Sequence, residues 1–144
     1  PKVLIDVDLD LPVEAFIPRA YVPDMRLKID LYRRLARVSN RSELDDFSAE
    51  LVDRFGSPPP LVQRLIALAE TRIAAHPWQI DSIHLEDQYV VFTYASSRRI
   101  RRLADKSGGR LRVVDGRSAY LPLDKEVAQP DAILRAIKSL LQPE

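Results

Sequence analysis

The chain has no cysteine among its 144 residues. That excludes a disulfide framework, a thiol nucleophile and thiolate metal sites, and it fits a reducing interior. Glycine is almost as scarce: Gly56, Gly108, Gly109 and Gly116 are the four present. Neither a P-loop nor a dinucleotide fingerprint can be written with them, because both need glycine where backbone approaches phosphate. Histidine occurs twice, at His76 and His84. No H-E-x-x-H helix contains them, and both are expected as surface or half-buried side chains, with no metal site. No nucleophile elbow surrounds any serine. An independent hydrolase would rest only on scattered Asp, Glu and His. No apolar run approaches the ~20 residues that span a membrane, so no membrane partner is expected.

What is present reads as a globular domain. Hydrophobic residues make up 46% of the chain, an ordinary value. One domain over residues 1–144 is expected, able to bury roughly 70% of its unfolded surface. It begins Pro1-Lys2-Val3, with neither Met nor signal peptide. The expectation is a domain cut from a larger, cytoplasmic protein.

Periodicity supplies the elements. Residues 3–11 alternate, with Val3, Ile5, Val7, Leu9 and Leu11 opposite Leu4, Asp6, Asp8 and Asp10, which predicts a half-buried strand. Asp6-x-Asp8-x-Asp10 resembles the start of a calcium loop, but that register puts Leu11 at the glycine and Ile17 at the bidentate glutamate. The aspartates are therefore the strand's polar face. Prolines at 12, 18 and 23 predict an irregular segment. Asp24 caps a helix over about 25–38, with Leu27, Leu31, Leu35 and Val38 on one face. A second helix, about 43–55, follows a capping box at Ser42 and Asp45 and stops at Gly56. Pro58, Pro59 and Pro60 open a third, which Pro77 ends.

The second half changes character. Ile80–Glu86 and Tyr89–Tyr94 form a hairpin about Asp87-Gln88. Ser96 or Ser97 caps a basic helix to about 106. Arg110–Val114 and Arg117–Leu123 flank Asp115-Gly116, a strong hairpin signal. Pro130-Asp131 opens a last helix. The order β-ααα-ββ-α-ββ-α argues an α+β fold with antiparallel hairpins packed against helices. The helical part covers about 24–76 and the hairpin-rich part about 80–144.

Net charge is only +1, but its distribution is uneven. Residues 43–54 set Glu43, Asp45, Asp46, Glu50 and Asp53 against Arg54, a net −4. Residues 96–118 set Arg98, Arg99, Arg101, Arg102, Lys106, Arg110, Arg112 and Arg117 against Asp105 and Asp115, a net +6. Arg98, Arg99, Arg101 and Arg102 suit nucleic-acid phosphate, an acidic protein surface, or a solvated face. No aromatic interleaves them in the sequence as a stacking platform would. Glu50, Asp53 and Arg54 crowd the C-terminal end of the second helix, where acidic side chains oppose the dipole. A locally unfavourable choice there points to a partner that supplies compensating charge.

Two stretches carry a family resemblance. One is Ile17-Pro18-Arg19-Ala20-Tyr21-Val22-Pro23-Asp24 with Arg26-Leu27 and Leu31-Tyr32-Arg33-Arg34-Leu35-Ala36. The other is Glu50-Leu51-Val52-Asp53-Arg54-Phe55-Gly56 with the Val62-x-x-Leu65 helix. Together they resemble the C-terminal domain of the bacterial transcription-repair coupling factors (Mfd), over about residues 4–75. The resemblance implies a non-catalytic regulatory domain without a cofactor of its own. It implies a parent that is an ATP-dependent DNA translocase of the helicase superfamily, with ATP and Mg in its motor. That parent displaces RNA polymerase stalled at lesions and recruits the excision-repair protein UvrA. The C-terminal domain would then clamp an N-terminal repair-protein-like module and compete with UvrA for it. Glu50, Asp53 and Arg54 match the place where the clamp contact is expected, and Tyr21, Tyr32, Leu35 and Phe55 are expected in the core. The alternative is an accessory nucleic-acid-binding domain using the basic 98–117 region.

Overall fold

The computed structural model of the chain describes residues 4–124 and 129–142. The described residues divide into two compact units: 4–5 with 13–73, and 6–12 with 74–124 and 129–142.

The first unit is helical. Helix α1 runs Met25–Ala36, and its Asp24 cap accepts from the Arg26 and Leu27 amides. Leu31 and Leu35 are buried, while Leu27 lies at the exposed edge. Helix α2 runs Arg41–Phe55. Its cap is not Ser42, as the sequence suggested. Asn40 accepts from the Glu43 amide, and Glu43 reaches back to the backbone N–H of Ser39. The helix therefore starts two residues early: Asn40 caps it, and the Glu43 carboxylate reaches past the cap to the N–H and hydroxyl of Ser39. Gly56 closes α2 at φ +88, a conformation that costs a side chain and suits glycine. Helix α3 runs Pro60–Ala75. The core of this unit joins Ile17, Val22, Leu31, Leu35, Leu44, Phe47, Leu51, Val62 and Ala69, with Tyr21, Tyr32 and Phe55 packed against it.

The second unit carries a five-stranded sheet in the order β1-β2-β3-β5-β4. The strands are β1 Asp8–Asp10, β2 Ile80–Glu86, β3 Tyr89–Tyr94, β4 Arg112–Val113 and β5 Ser118–Pro122. The β2–β3, β3–β5 and β4–β5 pairs are antiparallel, whereas β1 joins β2 in parallel. The strand expected over 3–11 is thus three residues long, because pairing with β2 is limited to Asp8, Leu9 and Asp10. Val3 lies outside the described residues. The alternation itself persists: Val7 is buried, and Leu4, Asp6, Asp8 and Asp10 are exposed. The β4–β5 hairpin closes through a three-residue loop, with the Val114 amide on the Ser118 carbonyl. Asp115 Oδ1 accepts from the Arg117 and Ser118 amides.

Helix α4, Ser97–Lys106, is capped by Ser96 and buries Ile100 and Leu103. Helix α5, Pro130–Leu141, buries Ile133, Leu134, Ile137, Leu140 and Leu141. Between α3 and β2 lies a 3-10 turn, His76–Trp78, ended by Gln79 in the left-handed conformation at φ 55. No helix among the described residues is long and apolar enough to cross a membrane.

Candidate functional site

The acidic end of α2 is held by side chains from two helices. Arg34 of α1 donates to both oxygens of Glu50, at 2.8 and 2.7 Å. Arg54, one turn beyond Glu50, donates to Oε2 at 2.9 Å. The same two guanidiniums lie over rings: Arg34 is 5.7 Å from the Phe47 centroid and Arg54 is 5.0 Å from that of Phe55. Hydrogen bonds from Arg34, then from Arg54, pull the Glu50 carboxyl down to about 2. The Glu50 hydrogen bond in turn raises the Arg34 guanidinium.

The C-terminal turn of α2 is fixed as well. Tyr21 Oη donates to the Leu51 carbonyl at 3.2 Å and the Gly56 carbonyl at 2.8 Å. Its ring sits 5.8 Å from Phe55. A phenol from a distant segment thereby ties down the last turn of α2 and its Gly56 cap.

The three predicted contact residues thus divide. Glu50 receives its compensating charge within the chain, from Arg34 and Arg54. Arg54 is the second cation of that network. Asp53 remains exposed and joins no ion pair among the described residues, although it opposes the dipole one turn from the helix end. Val52 beside it is 52% exposed, a large apolar side chain next to an unpaired carboxylate. Arg34 escaped the sequence analysis because it meets Glu50 from another helix, sixteen residues away.

The basic residues lie in the other unit. Arg98, Arg99, Arg101 and Arg102 are exposed on α4 and make no ion pair among the described residues. Arg98, Arg99 and Arg102 line a cleft of about 710 Å³ with Pro77, Trp78, Gln79 and Ser96. Arg101 points elsewhere and is not part of its wall. Trp78 is the aromatic that sequence order could not supply, since the 3-10 turn brings it from twenty residues away to the arginines. Its indole N–H donates to the Leu141 carbonyl at 3.3 Å, and the Lys106 ammonium lies 5.7 Å from its ring. The Arg99 guanidinium donates to the Pro77 carbonyl.

Neither place gathers a catalytic constellation. His84 Nε2 stands 3.7 Å from a Glu86 oxygen. Among the described residues, no three of His, Cys, Asp and Glu converge as a metal site.

A family model described as the TRCF domain matches residues 11–104. The transcription-repair-coupling factor of Myxococcus xanthus is 28% identical over 145 residues, covering 97% of this chain and 12% of that protein. Its counterpart from Mycobacterium tuberculosis is 43% identical over 68 residues, 47% of this chain and 6% of that protein. That of Bacillus subtilis is 31% identical over 88 residues, 61% of this chain and 8% of that protein. The chain therefore spans about a tenth of the length of the curated relatives it matches. A crystal structure of the C-terminal domain of transcription-repair coupling factor superposes with a TM-score of 0.78 at 20% identity, covering 94% of this chain and 88% of that one. The fold is that of this C-terminal domain, and with the TRCF model matching more than half of its residues, the chain belongs to the TRCF domain family of the transcription-repair coupling factors.

Proposed function

We propose that this chain is the non-catalytic regulatory domain of a cytoplasmic transcription-coupled repair ATPase, and that it docks through the C-terminal end of α2. The parent would be a DNA translocase of the helicase superfamily. ATP and Mg would act in its motor, and RNA polymerase and DNA would be its partners. The docking target is an N-terminal repair-protein-like module, whose UvrA-binding surface the domain masks until it is released.

The observation that carries this reading is Asp53. Its carboxylate is exposed, unpaired and opposed to the α2 dipole, on a helix end that Arg34, Glu50 and Tyr21 hold rigid. A rigid support lowers the cost of ordering an interface, so the surface is prepared for a cation on the partner. Glu50, which already accepts three hydrogen bonds, offers about one further lone pair to the same partner, and Arg54 offers the four N–H groups not used on Glu50. Exposed ion pairs are each worth about 0–1 kcal/mol, which suits a latch that must open.

The test is a binding titration of this chain against the isolated N-terminal module. Glu50→Ala with Asp53→Ala should weaken binding roughly tenfold, the effect of about 1.4 kcal/mol. UvrA should compete with the unaltered chain. Affinity unchanged in the double variant, with the fold intact by circular dichroism, would remove α2 as the docking site.

A further inference from the structure

We infer that the cleft between the His76–Gln79 turn and the first turns of α4 binds single-stranded nucleic acid, with a base against Trp78 and phosphate on Arg98 and Arg102. The site lies in the sheet-bearing unit and does not depend on the α2 docking surface.

Three features support it. The cleft holds about 710 Å³, within the roughly 300–1,000 Å³ of small-ligand sites. Arg98 and Arg102 stand one helical turn apart, both exposed and without an ion pair among the described residues. Like charges at this spacing destabilise a helix, and a phosphate between them would reverse the sign of that interaction. The aromatic wall is rigid: Trp78 is anchored through its N–H to Leu141, and Arg99 ties the turn to α4 through the Pro77 carbonyl.

Gln79 adds a polar group at the rim. It holds a left-handed conformation at φ 55, which an L-residue adopts at some cost, and its amide donates to the His76 carbonyl. Gln79 lines the cleft, and its side-chain amide carries both a donor and an acceptor, the pair that a base edge presents in return. Guanidinium for phosphate, a fixed ring for stacking and an amide for a base edge match single-stranded nucleic acid. An acidic peptide would engage the arginines and leave the ring and amide unused.

Trp78 is the only tryptophan of the chain, so its fluorescence reports on this cleft alone. A short oligothymidylate should quench it saturably at low salt, and raising salt to about 200 mM should weaken binding at least tenfold. Arg98→Gln with Arg102→Gln should weaken it about tenfold, whereas Arg112→Gln with Arg117→Gln should change it less than about twofold. Arg98→Lys with Arg102→Lys keeps the charge and should bind between the two. All of these side chains are exposed, and melting curves should confirm the fold. Absence of saturable quenching at low salt overturns the proposal. So does equal loss in both glutamine pairs, which means diffuse attraction, or equal affinity for polyglutamate, which means an acidic protein partner.

Discussion

Arg34 and Glu50 form a two-point ion pair between α1 and α2, with N–O distances of 2.8 and 2.7 Å. The planar fork of a guanidinium matches a carboxylate in this way, and an ammonium does not. The pair joins two helices at the acidic C-terminal end of α2.

Arg34 should therefore not be replaceable by lysine without loss. Arg34→Ala removes an exposed ion pair and a contact over Phe47, together worth about 1 kcal/mol. For a chain of this size that is a fall in Tm of roughly 2–4 °C. Arg34→Lys should fall between the alanine variant and the unaltered chain in thermal unfolding followed by circular dichroism. A lysine variant as stable as the original would mean that the fork geometry contributes nothing.

Glu50 makes stability depend on acid in a defined window. Its carboxyl lies at about 2 in the folded chain, against an ordinary 4.5. A depressed carboxyl contributes stability in full above its unfolded value, and the contribution is lost as pH falls through the folded value. The difference in Tm between the unaltered chain and Glu50→Gln should hence be constant above pH 4.5 and shrink between pH 4.5 and about 2. Its size stays at or below about 1 kcal/mol, because all three side chains are at least a third exposed. A difference that grows on acidification would contradict the ion-pair network.

Asp53 should trade stability for binding. Asp53→Asn removes an unpaired negative charge from the unfavourable end of the α2 dipole and should stabilise the chain by about 0.3–1 kcal/mol. The same change should weaken docking on the N-terminal module. Melting and titration on one preparation check both signs, and a variant that is less stable would show that Asp53 already has a partner.

Local signals were legible in the sequence where their causes are local. Asp24 caps α1, Ser96 caps α4, and α5 opens at Pro130. The Asn40 cap was missed because Ser42 offered a similar spacing, and the choice depends on which residue leaves the helical conformation first. The pairing of Glu50 was hidden for another reason. Its cation is sixteen residues away on a different helix, and helix periodicity says which faces are buried, not which side chains meet across them. Trp78 stood beyond reach of pattern in the same sense, since a single 3-10 turn decides that it faces α4. The parallel partnership of β1 and β2 was illegible too: alternation specifies a strand's faces but not its neighbour.

That partnership bears on how the chain assembles. Asp8 pairs with Ser82, so β1 must wait for its partner while some seventy residues, including three helices, are made. Contacts this far apart in sequence close late, because the loop's entropy must be offset before they form. Helices α1–α3 can close their own core in the meantime, since it needs nothing from the sheet. The α2 end that carries Glu50 and Asp53 can thus be in place before β1 finds its neighbour in the sheet.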